Sequence, residues 1–133
     1  VSTSLFDRAE EVDALREAVE AVAEGRGGVT LIEAPPGFGK TSLCDLAAEL
    51  AAGRGVEVLT ARGTELQEQV PFGLARVLLR IPPGDLGASP DRGLATIEQL
   101  AFVCFERVIG AAGEAGVPHL LIVDDAQWAD RLS

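Results

Sequence analysis

Apolar residues recur along the chain with two distinct periods, and the alternation between them predicts the elements. From Asp7 to Glu24, Val12, Leu15, Val19 and Val22 share one face of a helix, with Asp7 and Glu10 spaced as a capping box. Gly25, Gly27 and Gly28 end it. Val29 to Glu33 is a short, mostly apolar run of the kind that forms a buried parallel strand. A Gly/Pro loop follows, then a helical pattern over Thr41–Ala52 with Leu43, Leu46, Ala47 and Leu50 inward, closed by Gly53 and Gly55. Val56–Thr60 is the next strand. The polar stretch Gly63–Val70 reads as loop, and Phe72–Arg80 as a short amphipathic helix broken by Pro82, Pro83 and Gly84. Ser89 and Pro90 supply an N-cap and a first-turn proline. The helix they start runs to Ala112, with Leu94, Ile97, Leu100, Ala101, Cys104, Phe105 and Val108 on a broad apolar stripe. Leu120–Val123 is a third strand, running directly into Asp124 and Asp125. Strands alternating with helices predict an α/β fold with a parallel sheet.

Composition narrows the range of functions. The chain has 133 residues, 47% of them hydrophobic, enough for one modest domain with a core. Its formal net charge of -10 disfavours duplex DNA or an anionic membrane as a direct partner. No apolar run approaches the ~20 residues of a membrane span, and residues 1–7 lack the features of a signal peptide. Cys44 and Cys104 are far apart in sequence and His119 is the sole histidine, so no zinc-type ligand spacing exists. These features lead to the expectation of a cytoplasmic protein with free thiols.

One detail of charge points to chemistry. The chain has ten arginines and a single lysine, Lys40. That lysine lies in Ala34-Pro35-Pro36-Gly37-Phe38-Gly39-Lys40-Thr41, which departs from the Walker A pattern G-x-x-x-x-G-K-[ST] only at Ala34. An apolar run precedes the loop and an amphipathic helix follows, which is the context a phosphate-binding loop needs. Glycines at 37 and 39 free the backbone to turn its N–H groups inward, around Pro36, Phe38 and Ser42 as neighbours in the same cradle. The helix N-terminus adds partial positive charge. Lys40 is the residue for the β- and γ-phosphates, and the Thr41 hydroxyl for Mg2+. The plain alternative is a Gly-rich strand-to-helix turn carrying an exposed lysine.

The second constellation is residues 119–125, an apolar run that delivers two carboxylates to a strand's C-terminal end, where α/β sheets bind ligands. Asp124 there suits magnesium, and Asp125 suits a general base that polarises water. An ordinary strand exit also carries such residues. Trp128 reads as a packing anchor, Arg62 as a strand-end arginine that either faces the site or is solvated, and His119 as a strand-start residue. Phe38 either shields phosphates or fills space.

Asp124-Asp125-Ala126-Gln127-Trp128-Ala129-Asp130, followed by Ser133, resembles the Walker B region of the STAND-class AAA-type ATPase domain in large LuxR-family transcriptional regulators. Residues 58–66 and Pro71-Phe72-Gly73 are similar to that family's region between the two Walker motifs. Leu5-Phe6-Asp7-Arg8-Ala9-Glu10-Glu11 resembles its N-terminal G-R-E-x-E segment, with Arg8 and Glu11 matching and Asp7 and Ala9 departing. The resemblance implies a three-layer P-loop NTPase sandwich of the ASCE/AAA type, with ATP and Mg2+ as cofactors and Arg8 as a nucleotide contact. It also implies an N-terminal helix at 7–24, Walker A at 34–41 and Walker B at 119–125, within one partial ATPase domain over 1–133. In the family, further strands, a sensor, a winged-helix region, helical repeats and a DNA-binding helix-turn-helix follow. None of these is found in the sequence, and the family places one of those strands between the Walker A and Walker B strands. The expectation is therefore a domain truncated after the Walker B strand, with an open sheet edge that favours self-association or nucleotide-dependent oligomerisation. Three readings remain open: an ATPase, a nucleotide-gated regulatory module with slow or absent turnover, and a fragment whose nucleotide site is incomplete.

Overall fold

The structure is a computed structural model, and it describes residues 8–35, 37–70, 72–81, 97–113 and 116–133. They fall into two compact units: Val1–Val58 with Val117–Ile122, and Leu59–Gly116 with Val123–Ser133.

In the first unit, α1 (Ala9–Ala23) and α2 (Lys40–Ala52) pack against each other. Leu15, Leu43 and Ala47 form one core cluster, with Val12, Ile32, Leu120 and Ile122 against it. Val19, Ala51 and Val56 form a second, with Leu120 contributing to both. The 3.6-residue period explains the choice: Leu15 and Val19 lie four apart, as do Leu43, Ala47 and Ala51. Leu43 is 1% exposed, so truncating it to Ala opens a cavity costing about 2–5 kcal/mol. α1 starts two residues later than the sequence predicts, with Arg8 at the N-cap position and no side-chain cap. The expected capping residue, Asp7, lies outside the described residues.

β1 (Glu57–Arg62) and β2 (His119–Asp124) form the two-stranded sheet of the described residues. Their register is parallel: Glu57 N–H donates to the Pro118 carbonyl at one end and Gly63 N–H to the Asp124 carbonyl at the other, both at 2.9 Å. The strand expected over Val29–Glu33 does not form. A strand exists through a hydrogen-bonded neighbour, and this segment has none among the described residues. Ile32 still packs inward, while Val29 and Leu31 are 99% and 77% exposed. Ile32 is thus covered without the ladder, and the parallel pair of strands with helices remains consistent with an α/β fold.

In the second unit, α3 (Gly73–Leu78) and α4 (Ile97–Gly113) enclose a cluster of Phe72, Leu79, Ile81 and Cys104. Residues 90–96, predicted to begin the helix before α4's first described turn, lie outside the described residues. The apolar stripe of α4 is only partly used: Cys104 is buried, whereas Phe105 and Val108 are 63% and 44% exposed. Periodicity marks a helix face but not what covers it. The stretch read as loop contains a short 3-10 turn, Glu65–Gln67, held by a capping box between Thr64 and Gln67.

Candidate functional site

The first cluster of candidate residues is the loop between residue 34 and α2. Gly37 and Gly39 have φ of 83° and 81°, left-handed values that L side chains rarely adopt, so glycine is required at both. Gly39 is the N-cap residue of α2, and its carbonyl receives the Leu43 N–H at 3.1 Å. The first N–H groups of a helix have no intrahelical acceptor, and with the helix dipole they form an anion site. No acidic residue occupies the first turn of α2 to oppose an anion there. Lys40 Nζ donates to the Ala34 carbonyl at 2.5 Å, closing the loop on itself. Thr41 and Ser42 are exposed on the first turn, and Phe38 is 52% exposed. Pro36 lies outside the described residues. Arg8 comes to the same loop: a Cβ built on Gly39 would meet its Nη1 at 3.7 Å.

The second cluster forms where β1 and β2 end. Asp124 is 9% exposed. Its Oδ1 accepts the Asp125 N–H at 2.9 Å, and its Oδ2 accepts Arg62 Nη2 at 2.9 Å. Arg62 Nε also lies 3.8 Å from Asp125 Oδ2. Parallel pairing brings this about, because Arg62 ends β1 as Asp124 ends β2. Asp125 has φ 52° and ψ 47°, a left-handed conformation in a non-glycine residue, and it heads the 3-10 turn Ala126–Trp128. Its Oδ1 lies 3.5 Å from Gln127 Nε2. Gly63 permits this turn by close approach, since a Cβ on it would fall 2.3 Å from the Asp125 carbonyl oxygen.

Residues 4–133 match the model of the AAA ATPase domain. The chain belongs to the AAA ATPase domain family. Neither the curated proteins nor the solved structures searched contain a match. Membership in the AAA ATPase domain implies nucleotide binding by a P-loop fold, and the helices and parallel strands described above are consistent with it. No helix of the described residues is long and apolar enough to cross a membrane.

For an AAA ATPase domain the donor chemistry fits Mg2+. The Thr41 hydroxyl in the first unit and the Asp124 carboxylate in the second are each hard oxygen donors, and no group of three or more His, Cys, Asp or Glu forms a metal cage among the described residues. Mg2+ typically takes one or two carboxylates and completes its shell with phosphates and water.

Other residues matter in ways the sequence reading missed or left open. Arg62 was open between solvent and the site, and it pairs with both aspartates. Asp130 is a buried carboxylate at 7% exposure that accepts N–H groups from Phe72, Leu132 and Ser133 and the Ser133 hydroxyl. Burial pushes its pKa up, but the hydrogen bonds from Ser133, Phe72 and Leu74 outweigh burial and hold it below the usual carboxylate value. No spacing rule signals a bond between residues 58 apart. Gly63 carried no signal beyond its identity. His119 sits at the strand start, with Nε2 3.3 Å from Glu57 Oε2. Trp128 packs beside Gly63.

Proposed function

We propose that the chain binds ATP with Mg2+ and serves as the nucleotide switch of a STAND-type, LuxR-family transcriptional regulator. The observation that carries the reading is the pair of left-handed glycines, Gly37 and Gly39, leading directly into Lys40 as the first residue of α2. Backbone N–H groups, helix dipole and ammonium then converge on one loop, and each favours a phosphate. In this reading Gly37, Phe38, Gly39, Ser42 and Pro36 form the cradle, and Lys40 exchanges the Ala34 carbonyl for the β- and γ-phosphates. Arg8 adds a guanidinium beside Gly39. The Thr41 hydroxyl and Asp124 would hold Mg2+, which supplies charge neutralisation on the phosphates. Asp125 would accept a proton from water.

A second reading, binding with little or no hydrolysis, is favoured by Arg62. A guanidinium beside both Asp124 and Asp125 reduces their capacity to serve metal and water. Fluorescent ATP-analogue titration with and without Mg2+, beside a phosphate-release assay, tests both readings. Binding by wild type that is lost in Lys40→Ala supports the nucleotide site, and no binding by wild type refutes it. Steady phosphate release favours the ATPase over the silent switch.

A further inference from the structure

We infer that Arg62 is an internal competitor of the divalent cation at Asp124, so that metal affinity is set by whether this one side chain stays on the carboxylate. The inference deepens the metal assignment proposed for Asp124 and rests on it, naming how that site is regulated.

The geometry supplies the case. Asp124 has two oxygens, and each is engaged. Oδ1 accepts the Asp125 N–H at 2.9 Å, a bond that belongs to the turn and is kept in any state that preserves it. Oδ2 accepts Arg62 Nη2 at 2.9 Å. Oδ2 is thus engaged by a side chain, and a side chain can leave. Arg62 is built to leave: its side chain is 56% exposed, while that of Asp124 is 11% exposed. The buried partner stays where the sheet places it, and the guanidinium at the rim can exchange its bond for water.

Charge makes the competition strong in both directions. A guanidinium on Asp124 neutralises the carboxylate and repels an incoming dication. The same guanidinium reaches toward Asp125, with Nε 3.8 Å from Oδ2, so one residue restrains both acids. Without it, two adjacent carboxylates of like charge would repel each other, and a cation would relieve that repulsion. A phosphate-bound cation arriving at Asp124 would displace Arg62 and release Asp125 in the same event. Arginine suits this role because its planar fork can address two carboxylates at once, which a lysine ammonium does with less geometric fit.

The test uses the whole chain without nucleotide and titrates Mn2+ alone, with free Mn2+ read by electron paramagnetic resonance. Arg62→Gln and Arg62→Ala should each bind Mn2+ about fivefold more tightly than wild type, a change worth about 1 kcal/mol. Arg62→Lys, which keeps the charge, should stay within about twofold of wild type. Adding Asp124→Asn to Arg62→Gln should remove the gain. Circular dichroism checks that each variant is folded, and either neutral variant suffices. Unchanged or weaker Mn2+ binding in a folded neutral variant overturns the inference, as does a gain that survives Asp124→Asn. Metal-free ATP-analogue binding is measured in parallel and depends on the Lys40 loop, so failure of the nucleotide reading and failure of this one are told apart.

Discussion

The carboxylate of Asp130 accepts the backbone N–H of Phe72 at 2.8 Å, joining positions 58 apart in sequence. Phe72 has φ 56°, a left-handed value that costs a non-glycine residue about 1–3 kcal/mol. Two things hold it there: this hydrogen bond and the burial of its ring with Leu79, Ile81 and Cys104. Asp130→Ala removes the acceptor and leaves a buried N–H without it, which should destabilise the second unit by about 1–3 kcal/mol. Urea unfolding followed by circular dichroism measures this.

Asp130 also sets an acid limit. Its folded-state pKa is lowered, so the unfolded chain takes up the proton first as pH falls. The stability it contributes is complete above the unfolded carboxylate value of about 3.9 and is lost below it, down through the lower folded value. Wild type should therefore lose stability more steeply than Asp130→Asn over that acid range. Parallel slopes in urea midpoints against pH would refute the assignment.

Gly63→Ala places a Cβ 2.3 Å from the Asp125 carbonyl oxygen and 3.2 Å from Trp128 Cβ. Backbone cannot yield as a flexible side chain does, so a cost of about 1–3 kcal/mol is expected from overpacking. Trp128 is the only tryptophan, so its fluorescence reports the displacement directly. An unshifted emission spectrum with wild-type stability would contradict the close approach.

Arg8→Ala should weaken ATP-analogue binding by about three- to tenfold, in line with loss of one charge-assisted contact, while leaving the melting temperature nearly unchanged. Arg8→Lys should recover part of the loss. Equal affinity in wild type and Arg8→Ala would remove Arg8 from the site.

The Cys104 thiol is pushed up in pKa, chiefly by burial and further by Asp130, against a lowering by Arg76. Thiolate is the reactive form, so Cys104 should alkylate more slowly than the partly buried Cys44 at pH 8. Mass spectrometry of iodoacetamide-treated protein reads each site. Faster labelling at Cys104 would count against its burial.

Several features were legible in the chain itself because they are local. The helical period selected Leu15, Val19, Leu43 and Ala47 as core positions, and the structure buries all four. The placement of Gly37, Gly39 and Lys40 prescribed a loop whose backbone only glycine adopts readily, and the φ values follow. The ends of β2 and the acidic pair were readable from an apolar run meeting two aspartates.

Other features required the tertiary structure because they depend on what lies opposite. Val29–Glu33 is the short apolar run of a buried strand, but pairing needs a neighbouring backbone, and an apolar run cannot supply one. The stripe on α4 continues through Phe105 and Val108, yet burial depends on a covering surface. Arg62 and Asp124 are 62 residues apart, and only parallel pairing of β1 with β2 brings guanidinium and carboxylate to one strand end. The sequence alone singled out the loop of Gly37, Gly39 and Lys40 as the candidate for phosphate; the fold decided which charge answers the aspartates, because electrostatic partners are set by distance through space.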